Sequence, residues 1–169
     1  MPTLWIPLSY ARLAAGYPRR PLDGVLARIM ADMPAGATPC CLQLSHAFNL
    51  AGAQVPPKLA GLLRGSVRYV FEGRECRAYL TPLEVELWLT HVYGPGMVLR
   101  ENGEERPSRA EYRRMIDSIS GKQGALLFRS AGAGFHVELW DGHRIHQRDI
   151  DQERQFAEKR VLFWRTILA

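Results

Sequence analysis

The chain has 169 residues, 47% hydrophobic and 23% charged, a profile of one globular domain spanning 1–169. At this length about 70% of the unfolded surface can be buried, so no disulfide or metal is needed to staple a core. The net charge of +5 favours an anionic partner, but the cations are scattered and nearly all arginine, no basic run is interleaved with aromatics as single-stranded nucleic-acid binding favours, and no segment approaches the ~18 apolar residues of a membrane span.

The opening "MPTLWIPLSYARLAAGYPRRP" has no early basic region, and prolines and Arg12 interrupt its apolar stretch, so it does not read as a cleaved signal peptide. A first helix is predicted over 21–33, with Leu22, Val25, Leu26, Ile29 and Met33 on one face. A second is predicted over 39–50, with Thr38 as N-cap, Gly52 as the stop, and Cys41, Leu44, Ala47, Phe48 and Ala51 as its buried stripe. "VRYVFEG" reads as a strand followed by a turn around Gly73. "TPLEVELWLTHVYG" is a helix with Thr81 and Glu84 as a capping box, Pro82 in its first turn and Gly94 at its end. "PSRAEYRRMIDSISG" repeats the device with Ser108 and Glu111 and buries Tyr112, Met115, Ile116 and Ile119. After Gly121, β-formers dominate: "GALLFRS", "FHVELW", "HRIHQ" and "RVLFWRTIL" are predicted strands, with Asp141-Gly142 as a two-residue hairpin turn. Helices first and a sheet later define an α+β domain.

Three cysteines, two of them adjacent, make a poor disulfide framework and suggest free thiols. Cys40 and Cys41 are neighbours on one helix, so their side chains diverge by about 100°. If Cys41 belongs to the apolar stripe, Cys40 faces the helix mouth, where unpaired N–H groups and the macrodipole favour a thiolate. Cys41 then acts as a small buried hydrophobe, and Cys76 as a structural thiol. The competing reading makes both neighbours core residues, as free cysteines commonly are.

A thiolate nucleophile needs a base. His46 lies about 9 Å along the helix axis from Cys40, out of hydrogen-bond reach, and His91 suits the end of another helix. Within "GAGFHVELWDGHRIHQ", alternation puts His136, Glu138 and Trp140 on one face and Val137 and Leu139 on the other. With the turn at Asp141-Gly142, Gln147 falls opposite His136 and Asp149 lies about two residues further along. A polar group there would orient the imidazole and complete a Cys-His-polar triad. Gly132 and Gly134 would let this strand start close to another backbone. Adjacent cysteines are an unusual zinc pair, and His143 and His146 would point to opposite strand faces, so no metal and no cofactor are expected.

These residues also resemble a known family. "CCLQLSHAFNLAG" is similar to the Cys-Ala-x-Arg-x-Ser-x-Ala-Leu-Asn-x-Ala-Gly segment of the type VI secretion amidase effectors, family 4. "GKQGALLF" and "HVELWDG" resemble their Gly-Lys-x-Gly strand and Gly-His-x-x-Leu-Trp-Asp-Gly hairpin, and "YARLAAGYP" their N-terminal segment. The resemblance implies a papain-like, NlpC-type fold, with N-terminal helices, the nucleophile at a helix N-terminus, and an antiparallel sheet beneath it. It implies a cysteine amidase that cuts the γ-D-glutamyl–meso-diaminopimelate bond of peptidoglycan stem peptides. Such a toxin is made in the cytoplasm without a signal peptide, passes through the type VI secretion machinery, and acts in the periplasm of Gram-negative rivals. A cognate immunity protein protects kin.

Carried across, Ser45, Asn49 and Gly52 fix the register, placing the nucleophile at Cys40 and putting Cys41 where the family has alanine. His136 takes the histidine. The family's third member is an aspartate on the strand after the hairpin, near Gln147, which is not acidic; a bulge would bring Asp149 or His146 into its place. Gln43 stands where the family often has arginine, and Phe135 where it has glycine. Two other function classes fit the same residues: a papain-like hydrolase or acyltransferase on a different amide or ester, and a non-catalytic basic binding module.

Overall fold

The computed structural model describes residues 5–130 and 135–167, Phe135 by its backbone alone. Gly132, Gly134 and the Phe135 side chain, each given a role above, lie outside the described residues. The elements are β1 (Ile6–Ser9), α1 (Tyr10–Gly16), α2 (Gly24–Ala31), α3 (Pro39–Leu50), β2 (Val67–Phe71), β3 (Arg74–Ala78) and α4 (Pro82–Tyr93). They continue with β4 (Met97–Arg100), α5 (Arg109–Ile119), β5 (Gly124–Arg129), β6 (Phe135–Trp140), α6 (Gln152–Phe156) and β7 (Arg160–Ile167).

The architecture is α+β, with helices leading and a sheet ordered β1-β7-β5-β6. β4 also pairs with β7, along the stretch Val161–Phe163, while β1 meets the same strand at Thr166 and Ile167. β1 runs parallel to β7, so the sheet is mixed rather than wholly antiparallel as expected. β5 pairs antiparallel with both β7 and β6, and Phe128 sits opposite His136. β2 and β3 form a separate hairpin that turns through Glu72 and Gly73, both with positive φ. The short strands β1, β3 and β4 and the short helices α1 and α6 have too few residues for a periodic signal, and none was expected from the sequence.

Alternation along the strands divides the core in two. Ala125, Leu127, Val137, Leu139, Leu162 and Trp164 pack with Leu44, Ala47, Phe48 and Trp88 of the helical layer. Leu126, Phe128, Trp140, Val161 and Phe163 pack on the opposite face with Met115, Ile119 and Phe156. A third cluster joins α2 to the β2–β3 hairpin through Leu26, Leu42, Tyr69 and Cys76, which makes Cys76 a buried packing residue.

α3 lies at the centre. Its expected stripe is buried, but so are Cys40, Leu42, Gln43, Ser45, His46 and Asn49, because α1, β3 and β6 surround it. A helix enclosed on all sides has no polar face to show water, and its polar residues must find protein partners. α1 comes close enough that a Cβ at Gly16 would lie 2.9 Å from Leu50 Cβ. Ser45 Oγ donates to Tyr79 O and accepts from Tyr79 N–H, both at 3.2 Å. Asn49 donates to Ser45 O and Arg77 O and accepts from Arg77 N–H, which ties α3 to β3. His46 Nδ1 lies 2.8 Å from Tyr69 Oη, and burial holds its pKa low. Among the described residues no helix is long and apolar enough to cross a membrane.

Because Asn49 satisfies both backbone groups of Arg77, Asn49→Leu is expected to destabilise the fold by roughly 1–3 kcal/mol for each group left unpaired. Urea unfolding monitored by tryptophan fluorescence checks this.

Candidate active site

The N-terminus of α3 carries Pro39 at its first position, where a missing N–H costs nothing. Thr38 occupies the N-cap with extended backbone, but its side chain does not cap the helix. Instead Thr38 Oγ1 lies 2.9 Å from Cys40 Sγ and 3.1 Å from Cys41 Sγ. The two thiols therefore do not part company as expected; one hydroxyl bridges them. Cys40 is 4% exposed and Cys41 fully buried, and all three cysteines are free.

β6 is an edge strand with α3 packed against it, and this brings His136 to Cys40. The ring stacks over Phe128 at 6.2 Å, nearly parallel. His136 Nε2 lies 3.2 Å from Glu138 Oε2, which leaves Nδ1 for the thiol. Glu138 is completely buried. Its Oε1 accepts from Leu139 N–H at 2.9 Å, and its Oε2 accepts from Gln147 Nε2, also at 2.9 Å. Gln147 Nε2 reaches Tyr17 Oη at 3.2 Å, and its Oε1 accepts from Arg20 Nε and Nη2 at 3.1 and 2.8 Å. A continuous polar chain thus runs from Cys40 through His136, Glu138 and Gln147 to Arg20.

The electrostatics separate the thiols. The hydrogen bond from Cys41 holds the Cys40 pKa well below the ordinary thiol value; burial opposes this, while His136 and Thr38 assist it. Burial, then the neighbouring Cys40, pushes Cys41 well above that value, so Cys41 keeps its proton. Burial works against a charged His136, but hydrogen bonds to Cys40 and Glu138 outweigh it and raise its pKa to about 9. Both shifts favour a thiolate on Cys40 and a protonated ring on His136.

The segment after β6 departs from the expected hairpin. Asp141 Oδ1 accepts from His143 N–H and Arg144 N–H, both at 2.8 Å, and Asp141 N–H donates to Arg144 O. The turn is therefore centred on Gly142 and His143, one residue later than Asp141-Gly142. "HRIHQ" forms only a single bridge, Trp140 with Ile145, and no strand. Moving the turn by one residue slides the register by two, which puts Gln147 level with Glu138 instead of His136. Gln147 thus holds the carboxylate, not the imidazole. Asp149 is exposed and lines a cavity with Gln147. His146 bonds Tyr10 Oη through Nδ1 at 2.8 Å and packs edge-on against Tyr17. Glu138 is the residue sequence reasoning passed over. Its signal was present: an acid amid apolar neighbours, two residues from His136 on the same strand face. Among the described residues no group of three or more His, Cys, Asp and Glu side chains is placed to hold a metal.

No family model matches the sequence, and no curated protein is similar to it. Solved structures are similar in fold. The type VI effector Tae4 from Enterobacter cloacae superposes with a TM-score of 0.63 at 15% identity, covering 97% of this chain and 99% of its own. The effector Tae4 from Salmonella typhimurium, solved with the immunity Tai4 from E. cloacae, gives 0.57 at 14% identity over 95% and 99%. The Salmonella Tae4/Tai4 effector–immunity system gives 0.55 at 14% identity, with the same coverage. Over nearly its whole length this chain has the fold of the Tae4 effectors.

Iodoacetamide at about pH 6.5 is expected to label Cys40 and spare Cys41 and Cys76. Cys41→Ala should shift the Cys40 labelling profile to higher pH, and Cys41→Ser, which keeps a donor, should restore it. Peptide mass spectrometry across a pH series reads both.

Proposed function

We propose that this protein is a papain-like cysteine amidase acting on peptidoglycan stem peptides. The observation that carries the reading is the Cys40 sulfur at a helix N-terminus with His136 as its electrostatic partner, whose ring is held by the buried carboxylate of Glu138. The resemblance in sequence and the likeness in fold to the Tae4 effectors support the choice of substrate.

The Cys40 thiolate attacks the amide carbon, forming a C–S bond and an oxyanion. With the Thr38 hydroxyl turned to the sulfurs, no side chain caps α3, and the Cys40 backbone N–H at the positive end of the helix is the donor for that oxyanion. As the C–N bond breaks, His136 gives its proton to the departing amine and leaves a thioester. Water then attacks the thioester, His136 takes its proton, and the acyl group departs as a carboxylic acid while the sulfur regains its charge. Glu138 stabilises the imidazolium and fixes the ring; Gln147 and Leu139 N–H hold Glu138 in turn. Here the carboxylate that the resembled family draws from beyond the hairpin comes from two residues along the histidine's own strand.

The bond cut is the γ-D-glutamyl–meso-diaminopimelate link. The protein works as an antibacterial toxin exported by a type VI system into the periplasm of a target cell, with an immunity protein as its inhibitor.

After muramidase digestion, sacculi treated with the wild-type protein are expected to yield muropeptides ending in D-glutamate with a free γ-carboxyl, and sacculi treated with Cys40→Ala to yield none. Mass spectrometry of the digests decides this, and undiminished cleavage by the variant would falsify the reading. The pH profile of kcat/KM should be bell-shaped. Activity falls on the acid side as the Cys40 thiolate is protonated, and on the alkaline side near pH 9 as His136 loses its proton. Glu138→Gln should lower kcat by about 10²–10⁴-fold and move the alkaline limb to lower pH.

A further inference from the structure

Beside the catalytic chain lies a cavity of about 400 Å³, walled by residues 17–20 and 146–149. We propose that this cavity is a carboxylate subsite, in which Arg19 and Arg20 bind a free carboxylate of the peptide substrate. The proposal rests on the amidase reading and names the part of the substrate that the enzyme grips away from the scissile bond.

Three guanidinium groups reach this cavity, and they are not equivalent. Arg148 is engaged, donating to Asp141 Oδ2 at 2.9 Å and to Ile145 O at 3.0 Å. Arg20 is exposed and donates through Nε and Nη2 to the neutral amide oxygen of Gln147, and it forms no ion pair with an acid among the described residues. Arg19 is exposed and forms no ion pair with any described residue. Against these cations the wall supplies one carboxylate, Asp149. His146 adds no charge near neutral pH, since burial keeps its pKa low, with Arg148 and Arg19 contributing, against the pull of Glu138 and Asp141. The cavity is therefore cationic, and a planar guanidinium fork matches the two oxygens of a carboxylate better than it matches a single point acceptor.

The walls hang on the two elements that carry the chemistry. Gln43 sits one turn along α3 from Cys40, and its Nε2 donates to Pro18 O at 2.8 Å, holding the loop of Arg19 and Arg20. On the other side, His146 N–H donates to Leu139 O, and Gln147 donates to Glu138. A carboxylate anchored between these walls keeps a fixed position relative to the Cys40–His136 pair. Tyr17, also in the wall, feels the charges of both Glu138 and Cys40, which places the cavity within electrostatic reach of the reacting sulfur. Fixed anchoring of a remote substrate group is how binding converts into orientation at the scissile bond.

The test measures binding without turnover. Full-length Cys40→Ala protein is titrated calorimetrically with a synthetic stem tetrapeptide, with versions amidated at the C-terminus or at the diaminopimelate carboxylate, and with inorganic phosphate. The acid peptide should bind about tenfold or more tightly than one of its amidated forms. Adding Arg19→Gln and Arg20→Gln should remove that difference while leaving the weaker amidated form unchanged. Arg19→Gln alone, which disturbs no side-chain hydrogen bond among the described residues, should remove part of it. Equal affinity for acid and amidated peptides, an unaltered preference in the double variant, or phosphate binding as tight as the acid peptide would each overturn the subsite. Sacculus digestion by the Cys40 protein is scored separately. Cleavage without carboxylate preference removes the subsite and leaves the amidase; peptide preference without cleavage does the reverse.

Discussion

A carboxylate shut away from water must be fully hydrogen-bonded or give up its charge, and Glu138 is held by three donors at once. One is the next residue's backbone N–H, one is the Gln147 amide, and one is the His136 ring. Because the first two are fixed by the fold, the third has little freedom to wander. The imidazole orientation follows from that arrangement, and Glu138 joins Cys40 in raising the His136 pKa against burial; His136 in turn helps hold the Cys40 pKa low, after Cys41. An unsatisfied charge here would cost several kcal/mol, so the polar chain and the fold stand or fall together.

The thiol end adds a second constraint. Helix N-terminal residues ordinarily direct their side chains to backbone N–H groups. Thr38 gives its hydroxyl to two sulfurs instead, and its backbone is anchored by the bond from its N–H to Leu80 O. The consequence is a helix mouth without a side-chain cap, open to an anion. Cys41, on a purely hydrophobic accounting, would be interchangeable with alanine. Its proton, kept by burial, is instead the leading influence on its neighbour.

The long helices were legible in the sequence because their signals are local. Thr81 and Glu84 form both bonds of a capping box, and Ser108 caps α5 through Glu111 N–H. The last strand, β5 and β6 were legible as apolar runs. β1, β3, β4 and α6 were not: a four- or five-residue piece takes its state from its neighbours, as β4 does from β7. At the site, Cys40 and His136 were visible as residues, and the face shared by His136 and Glu138 was visible as alternation. The pairing was not. A displacement of two residues preserves which face each side chain occupies, so parity was right while every partner was wrong. Nothing in the string of letters distinguishes a turn at Asp141-Gly142 from one at Gly142-His143; the difference lies in Asp141 Oδ1 gathering two N–H groups.

That aspartate gives the turn an influence beyond the surface. Asp141 Oδ2 is clasped by Arg148 while Oδ1 sets the bend, so one side chain governs how far the returning segment has slid when it reaches Glu138. It works as a vernier on the strand. One notch earlier, the Gln147 amide would meet the imidazole and Glu138 would lose that donor, keeping the Leu139 N–H. A partly exposed loop residue thereby selects which side chain Gln147 meets, Glu138 rather than His136.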